Sequence, residues 1–304
     1  VGVASPKFIA LGCINIVIAA NAGGAFSPFG DITTLMVWQK GLVEFWTFFV
    51  LFIPSLINWF VPALLMNFSV PGGSPAATGE HVSMKRGARR IIALFLVTII
   101  TAVSFHNFLH LPPMLGMMTG LSYLQIFGYY LKKTHHKEVQ SLPGSADADE
   151  QRLGDMAVPF NVFNNVARAE WDTLLFFFGV VICVGGLGFI GYLELASQVM
   201  YQQWGATSAN ITIGVLSAIV DNIPIMFAVL TMNPDMSTGQ WLLVTLTAGV
   251  GGSMLSIGSA AGVALMGQAR GAYTFFSHLR WTPAIALGYA ASIGAHMWLN
   301  ASLF

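Results

Sequence analysis

Five apolar runs, at residues 43–66, 90–111, 113–131, 172–193 and 281–303, are each long enough to cross a bilayer as a helix. Three further apolar stretches are interrupted. Residues 7–38 break at NAGGAFSPFGD, residues 207–232 at DNIP, and residues 241–268 at GVGGSMLSIGSAAG. The first and third are too long for one straight span and suit helix–break–helix. The second is too short to cross twice and suits a re-entrant hairpin. This pattern predicts an all-α integral membrane protein, and the 9% share of charged residues agrees, against about 25% in soluble domains. The zero net charge excludes a general affinity for nucleic acid.

Lysine and arginine orient the layout. If 207–232 enters and leaves on one face, the N-terminus and the loops 67–89, 132–171 and 269–280 share one side. That side holds every lysine and arginine except Lys40, so it is the cytoplasm and the C-terminus is periplasmic. The hairpin then opens from the outer face. The chain has no initial methionine and reads as the later part of a longer protein.

GGAFSPFGD at 23–31 and GGSMLSIGS at 251–259 share a glycine pair, five residues, a glycine and a polar residue. They lie on oppositely directed segments, as an inverted repeat would leave them. The repeat divides the chain into 1–66, the end of a first repeat (broken helix 7–38 and span 43–66); a cytoplasmic linker, 67–89; and a second repeat, 90–304. The second repeat holds spans 90–111, 113–131, 172–193 and 281–303, the hairpin, the broken helix 241–268 and the cytoplasmic loop 132–171. Helix breaks at this depth free backbone groups that lipid cannot satisfy, so they must face protein or an aqueous cavity.

Of the 13 acidic residues, only Asp31 and Asp221 lie deep, each beside a break. A carboxylate at mid-membrane is costly and usually functional. Such a group can exchange H⁺ for a metal cation near neutral pH, which is the minimal antiporter. Asn21, Ser27, Thr33 and Thr34 surround Asp31; Ser217 and Asn222 flank Asp221; Ser256 and Ser259 lie at the last break. These oxygens suit a small hard cation, Na⁺ or Li⁺. Asp172 either caps its helix or, with Glu170, relays protons. His106 and His110 read as interfacial, and Cys13 and Cys183 as packed thiols.

NAGGAFSPFGDITTLMVW, SAIVDNIPIMFAVLTM and GGSMLSIGSAAGVALMG closely resemble the NhaD family of bacterial Na⁺(Li⁺)/H⁺ antiporters, within a superfamily that includes arsenite exporters and dicarboxylate carriers. The resemblance covers essentially the whole chain. It implies a secondary transporter of the bacterial inner membrane that exchanges cytoplasmic Na⁺ or Li⁺ for external H⁺, for sodium tolerance and pH homeostasis, with no cofactor. It implies two inverted repeats, each with a hairpin and a broken helix; the first hairpin would lie upstream of this chain. The family's functional positions fall on Asn21, Asp31, Thr33, Thr34, Ser217, Asp221, Asn222, Ser256 and Ser259. A homodimer and an elevator-like motion of the hairpin domain are also implied. The competing expectations are an anion carrier, for arsenite or a carboxylate, and an intramembrane aspartyl hydrolase using Asp31 and Asp221.

Overall fold

A computed structural model of the chain describes residues 5–70, 87–139, 167 and 171–304. Most of the expected linker, most of the loop 132–171 and Glu170 lie outside the described residues. The helices are α1 (Pro6–Gly24), α2 (Ile32–Gln39), α3 (Phe52–Asn67), α4 (Ala88–Leu109), α5 (Pro113–Val139), α6 (Trp171–Phe189), α7 (Tyr192–Ser197), α8 (Ala206–Leu216), α9 (Asn222–Met232), α10 (Thr238–Gly251), α11 (Ala260–Gln268), α12 (Phe275–Leu279) and α13 (Thr282–Leu299). Helical 3₁₀ turns at Phe45–Leu51, Gly252–Met254 and Ala301–Leu303 and a π turn at Gln198–Gln203 complete the order.

The chain forms two compact units, residues 80–173 and residues 1–79 with 174–304. Compactness therefore groups the residues differently from the repeat division drawn on the sequence. In the smaller unit α4 and α5 pack closely at small residues: a Cβ on Gly116 would collide with Ala102, and one on Gly120 with Thr98. Such residues let helix backbones approach where lipid offers no hydrophobic drive.

In the larger unit α10 is the central rod, buried from Trp241 through Gly251. Ser237 caps it, its hydroxyl accepting the Gln240 N–H at 3.3 Å. Arm α8 of the hairpin packs along it, Gly214 against Gly251. A polar network pins the pair: Asn210 donates to the Gln240 carbonyl and side-chain oxygen, both at 3.0 Å, and Gln240 donates to Thr207 at 2.7 Å. Large apolar side chains such as Phe60, Phe178, Phe189 and Trp298 point outward. Apolar surface on this scale suits a lipid environment. Pro6–Gly24, Phe45–Asn67 and Ala88–Leu109 are long and apolar enough to cross a membrane.

The broken segments 7–38 and 241–268 break where glycines cluster, whereas the hairpin turns at residues 217–221, which hold no glycine. The hairpin arms are eleven residues each, so each reaches about 16 Å, roughly half a hydrocarbon core. Within the run 172–193, α6 ends at Phe189, four residues short of the expected end, and the chain bends by 80° into Tyr192–Gln203. Gly191, at φ 87°, makes the turn, because only glycine adopts that conformation without strain. Cys13 is buried as expected, but Cys183 is exposed on α6.

Candidate functional site

Both broken segments are built alike. In the first, Gly24 and Gly30 face each other so closely that a Cβ on Gly30 would collide with the Gly24 backbone. In the second, a Cβ on Gly252 would lie 2.5 Å from the Gly258 carbonyl oxygen. The glycines are thus needed for close approach, which folds the chain into a tight loop between two helices. Each loop ends on an extended polar residue that precedes the next helix, Asp31 (φ −142°, ψ 156°) and Ser259 (φ −149°, ψ 150°).

The contacts between the segments are reciprocal. Asn21, two residues before the first glycine pair, donates its side-chain amide to Ser259 Oγ at 3.1 Å. Gly249, two residues before the second pair, lies against Asp31, where a Cβ would stand 3.9 Å from Oδ2. Moreover, α1 packs on α11, while α10 packs on α2. The residue at each approach therefore meets the residue that opens the other segment's second helix.

The hairpin tip fits between the two breaks. Ser217 donates to the Ala248 carbonyl at 2.7 Å. A Cβ on Gly258 would stand 2.6 Å from the Ala218 carbonyl oxygen. On the other side Asn222 donates its side-chain amide to Asp31 Oδ2 at 2.8 Å, while its backbone N–H donates to Asp221 Oδ1 at 3.0 Å. Asn222 thus bridges the two deep carboxylates. Asp31 also accepts from the Ile32 N–H at 2.6 Å and the Thr33 hydroxyl at 3.0 Å. It is the N-cap of α2, as Asp221 is of α9.

Of the residues singled out on the sequence, Asn21, Asp31, Thr33, Ser217, Asp221, Asn222 and Ser259 all join this set of contacts. Thr34 is different: its hydroxyl braces the first break, donating to the Ser27 carbonyl at 2.8 Å and the Asp31 carbonyl at 2.7 Å. Ser256 is fully buried, and its hydroxyl has no hydrogen-bond partner among the described residues. A buried orphan hydroxyl calls for a ligand or water, because leaving it unpaired costs about 1–3 kcal/mol. Asp172 stands exposed in the first turn of α6, not at its cap.

Several residues that shape the site carry no signal in the sequence. Buried His278, on α12, holds the Ser253 carbonyl through Nε2 at 2.9 Å, and Tyr273 lies 2.7 Å from its Nδ1. Thr282 donates to the Met254 carbonyl at 2.8 Å. Carbonyls freed where α10 ends are thereby satisfied from the loop that follows the second broken segment and from the start of α13.

Residues 4–249 match the Citrate transporter family. The chain is 68% identical over 291 residues to a Na⁺/H⁺ antiporter NhaD of Vibrio parahaemolyticus, covering 94% of this chain and 70% of that protein. It is 62% identical over 309 residues to a Na⁺/H⁺ antiporter NhaD of Alkalimonas amylolytica, covering 98% and 62%. It is 33% identical over 293 residues to sodium/proton antiporter 1 of Arabidopsis thaliana, covering 93% and 47%. No solved structure matches. The chain spans 61% to 70% of the length of four bacterial NhaD relatives, the Vibrio parahaemolyticus and Alkalimonas amylolytica proteins among them. Broken helices around paired carboxylates, in a multi-pass membrane chain of this similarity, lead to one conclusion: the chain belongs to the NhaD family of Na⁺/H⁺ antiporters, which are secondary transporters and not enzymes.

Proposed function

We propose that this chain supplies the exchange site of a Na⁺(Li⁺)/H⁺ antiporter in the bacterial inner membrane. Cytoplasmic Na⁺ or Li⁺ and external H⁺ compete there for Asp221 and Asp31, serving sodium tolerance and pH homeostasis. The C-terminus is periplasmic, and the full protein works as a homodimer without a cofactor. The observation that carries the reading is the pair of hydrogen bonds from Asn222, its side-chain amide to Asp31 and its backbone N–H to Asp221, which ties both carboxylates to one residue. A cation there would meet carboxylate oxygens, the Thr33 hydroxyl and break-region oxygens, with the orphan Ser256 hydroxyl as a further donor of lone pairs.

Anion transport is the second reading, favoured by the matched family's description and by helix starts at Asp31, Asp221 and Ser259, since helix N-termini attract anions. In this chain, however, two of those starts are capped by its own carboxylates, which accept the first backbone N–H of α2 and of α9. A dissolved anion would meet uncompensated negative charge. The cation reading is therefore the stronger.

The test uses the full-length protein in everted vesicles loaded with a pH-sensitive dye. Na⁺-dependent dequenching is expected from the wild type and none from Asp221→Asn; undiminished dequenching in the variant would sink the reading. Uptake of labelled citrate into the same vesicles, unaffected by replacing Na⁺ with choline, would select the anion reading instead.

A further inference from the structure

A second set of buried polar groups lies outside the exchange site, on α3 where it packs against α13. Ser55 is 2% exposed and Asn58 fully buried. The Ser55 hydroxyl and both side-chain polar atoms of Asn58 have no hydrogen-bond partner among the described residues. A third polar group is created by chemistry alone. Residue 62 is proline and has no N–H, so the Asn58 carbonyl loses the donor that a regular helix would give it.

Upstream, the carbonyl of Val50, in the 3₁₀ turn ahead of α3, accepts from the Asn300 side-chain amide of the C-terminal segment at 3.3 Å. The Asn58 carbonyl instead faces Gly288 on α13, where a Cβ would lie 2.6 Å from the Asn58 oxygen and 2.7 Å from Pro62 Cδ. Gly288 has no side chain to offer. The pairs Asn58–Gly288 and Val50–Asn300 set an antiparallel register that brings fully buried Ser292 about level with Ser55. Asn15 near Met66 and Phe26 near Phe52 set the register of α1 on α3, which brings Asn58 to the depth at which α1 ends.

We infer that Ser55, Asn58 and the Asn58 carbonyl hold an ordered water in the contact between α3 and α13. Unpaired, these groups would cost several hydrogen bonds' worth of desolvation in a low-dielectric core. A water matches them, because it needs two to four polar partners and both gives and accepts hydrogen bonds. It can donate to the Asn58 carbonyl and Oδ1 while accepting from the Nδ2 amide. A sodium ion fits less well, since the amide N–H groups would face it with like polarity. The inference goes beyond the exchange reading and does not depend on it: the site joins two helices and includes neither deep carboxylate.

X-ray radiolytic footprinting of the full-length protein in nanodiscs tests it, because hydroxyl radicals made from a bound water oxidise adjacent side chains. Oxidation of buried Pro62 is expected in the wild type, falling to background in Asn58→Leu and in the milder Ser55→Ala. Absence of Pro62 oxidation in the wild type overturns the proposal. So does oxidation that persists in Ser55→Ala, which answers the question should Asn58→Leu fail to fold. Suppression of the signal by NaCl relative to choline chloride would identify the occupant as an ion and overturn it too.

Discussion

Asn222 and Asp31, 191 positions apart in the chain, meet in a 2.8 Å hydrogen bond that joins the hairpin tip to the first helix break. The same asparagine holds Asp221 through its backbone N–H, so one residue sets the relation between both deep carboxylates. Its side chain can be changed while that backbone bond remains, which separates the two contacts experimentally.

Asn222→Ala removes only the link to Asp31. Hydrogen bonds to charged groups contribute about 1.5–3 kcal/mol, so the variant should need roughly 10- to 100-fold more Na⁺ for half-maximal exchange. Dequenching titrated with NaCl in everted vesicles measures this. An unchanged half-maximal concentration would mean that the bond to Asp31 does not organise ion binding.

Ser217→Ala probes the other flank of the tip. The variant loses the buried bond to the Ala248 carbonyl, a net contribution of about 0.5–1.5 kcal/mol. Thermal denaturation of the purified protein should show a lower midpoint than the wild type. An equal midpoint would show that another donor replaces the hydroxyl.

The two breaks make a paired prediction about glycine. Gly30→Ala and Gly258→Ala each drive a Cβ into backbone, against Gly24 in one case and the Ala218 carbonyl in the other. Both should reduce folded protein in detergent sharply. Gly23→Ala meets nothing within 4 Å and lies in a helix, so it should be neutral or gain up to about 1 kcal/mol. Fluorescence-detected size exclusion separates these outcomes; equal behaviour of all three would contradict the close approaches described above.

His278 predicts an acid-side loss of stability. It belongs to the loop that follows the second broken segment, and burial lowers its pKa from the ordinary value near 6.5. The Ser253 carbonyl only accepts, so Nε2 carries the proton of the neutral ring and Nδ1 accepts from the Tyr273 hydroxyl. Above about pH 6.5 the ring is neutral in folded and unfolded chains alike, and its full contribution is present. Below that, the unfolded chain takes the proton first, and the contribution is lost as pH falls through the lowered folded value. Melting midpoints recorded from pH 8 to pH 5 should therefore drop less in His278→Gln than in the wild type.

The helices and their interruptions were legible locally, because glycine pairs beside polar residues stop an apolar helix wherever they occur. The hairpin was legible for a different reason, its arms being too short to span on either side of Asp221, Asn222 and Pro224. The 80° bend after Phe189 was missed, since Gly191 sits in a run whose hydropathy hides it. The bracing role of Thr34 was also hidden, because composition cannot tell a ligand oxygen from one spent on a neighbouring carbonyl.

By itself the sequence determined where the three interrupted apolar stretches break and that Asp31 and Asp221 each stand beside a break, both of which follow from short-range chemistry. Only the tertiary structure decided what meets what: that Asn21 reaches Ser259, that Gly249 makes room beside Asp31, and that Asn222 bridges to a residue 191 positions away. Those pairings depend on how α1, α10 and the hairpin pack, and packing is a property of surfaces brought together across the whole chain. The same surfaces leave the Ser256 hydroxyl buried with no partner among the described residues, a fact that no stretch of sequence states.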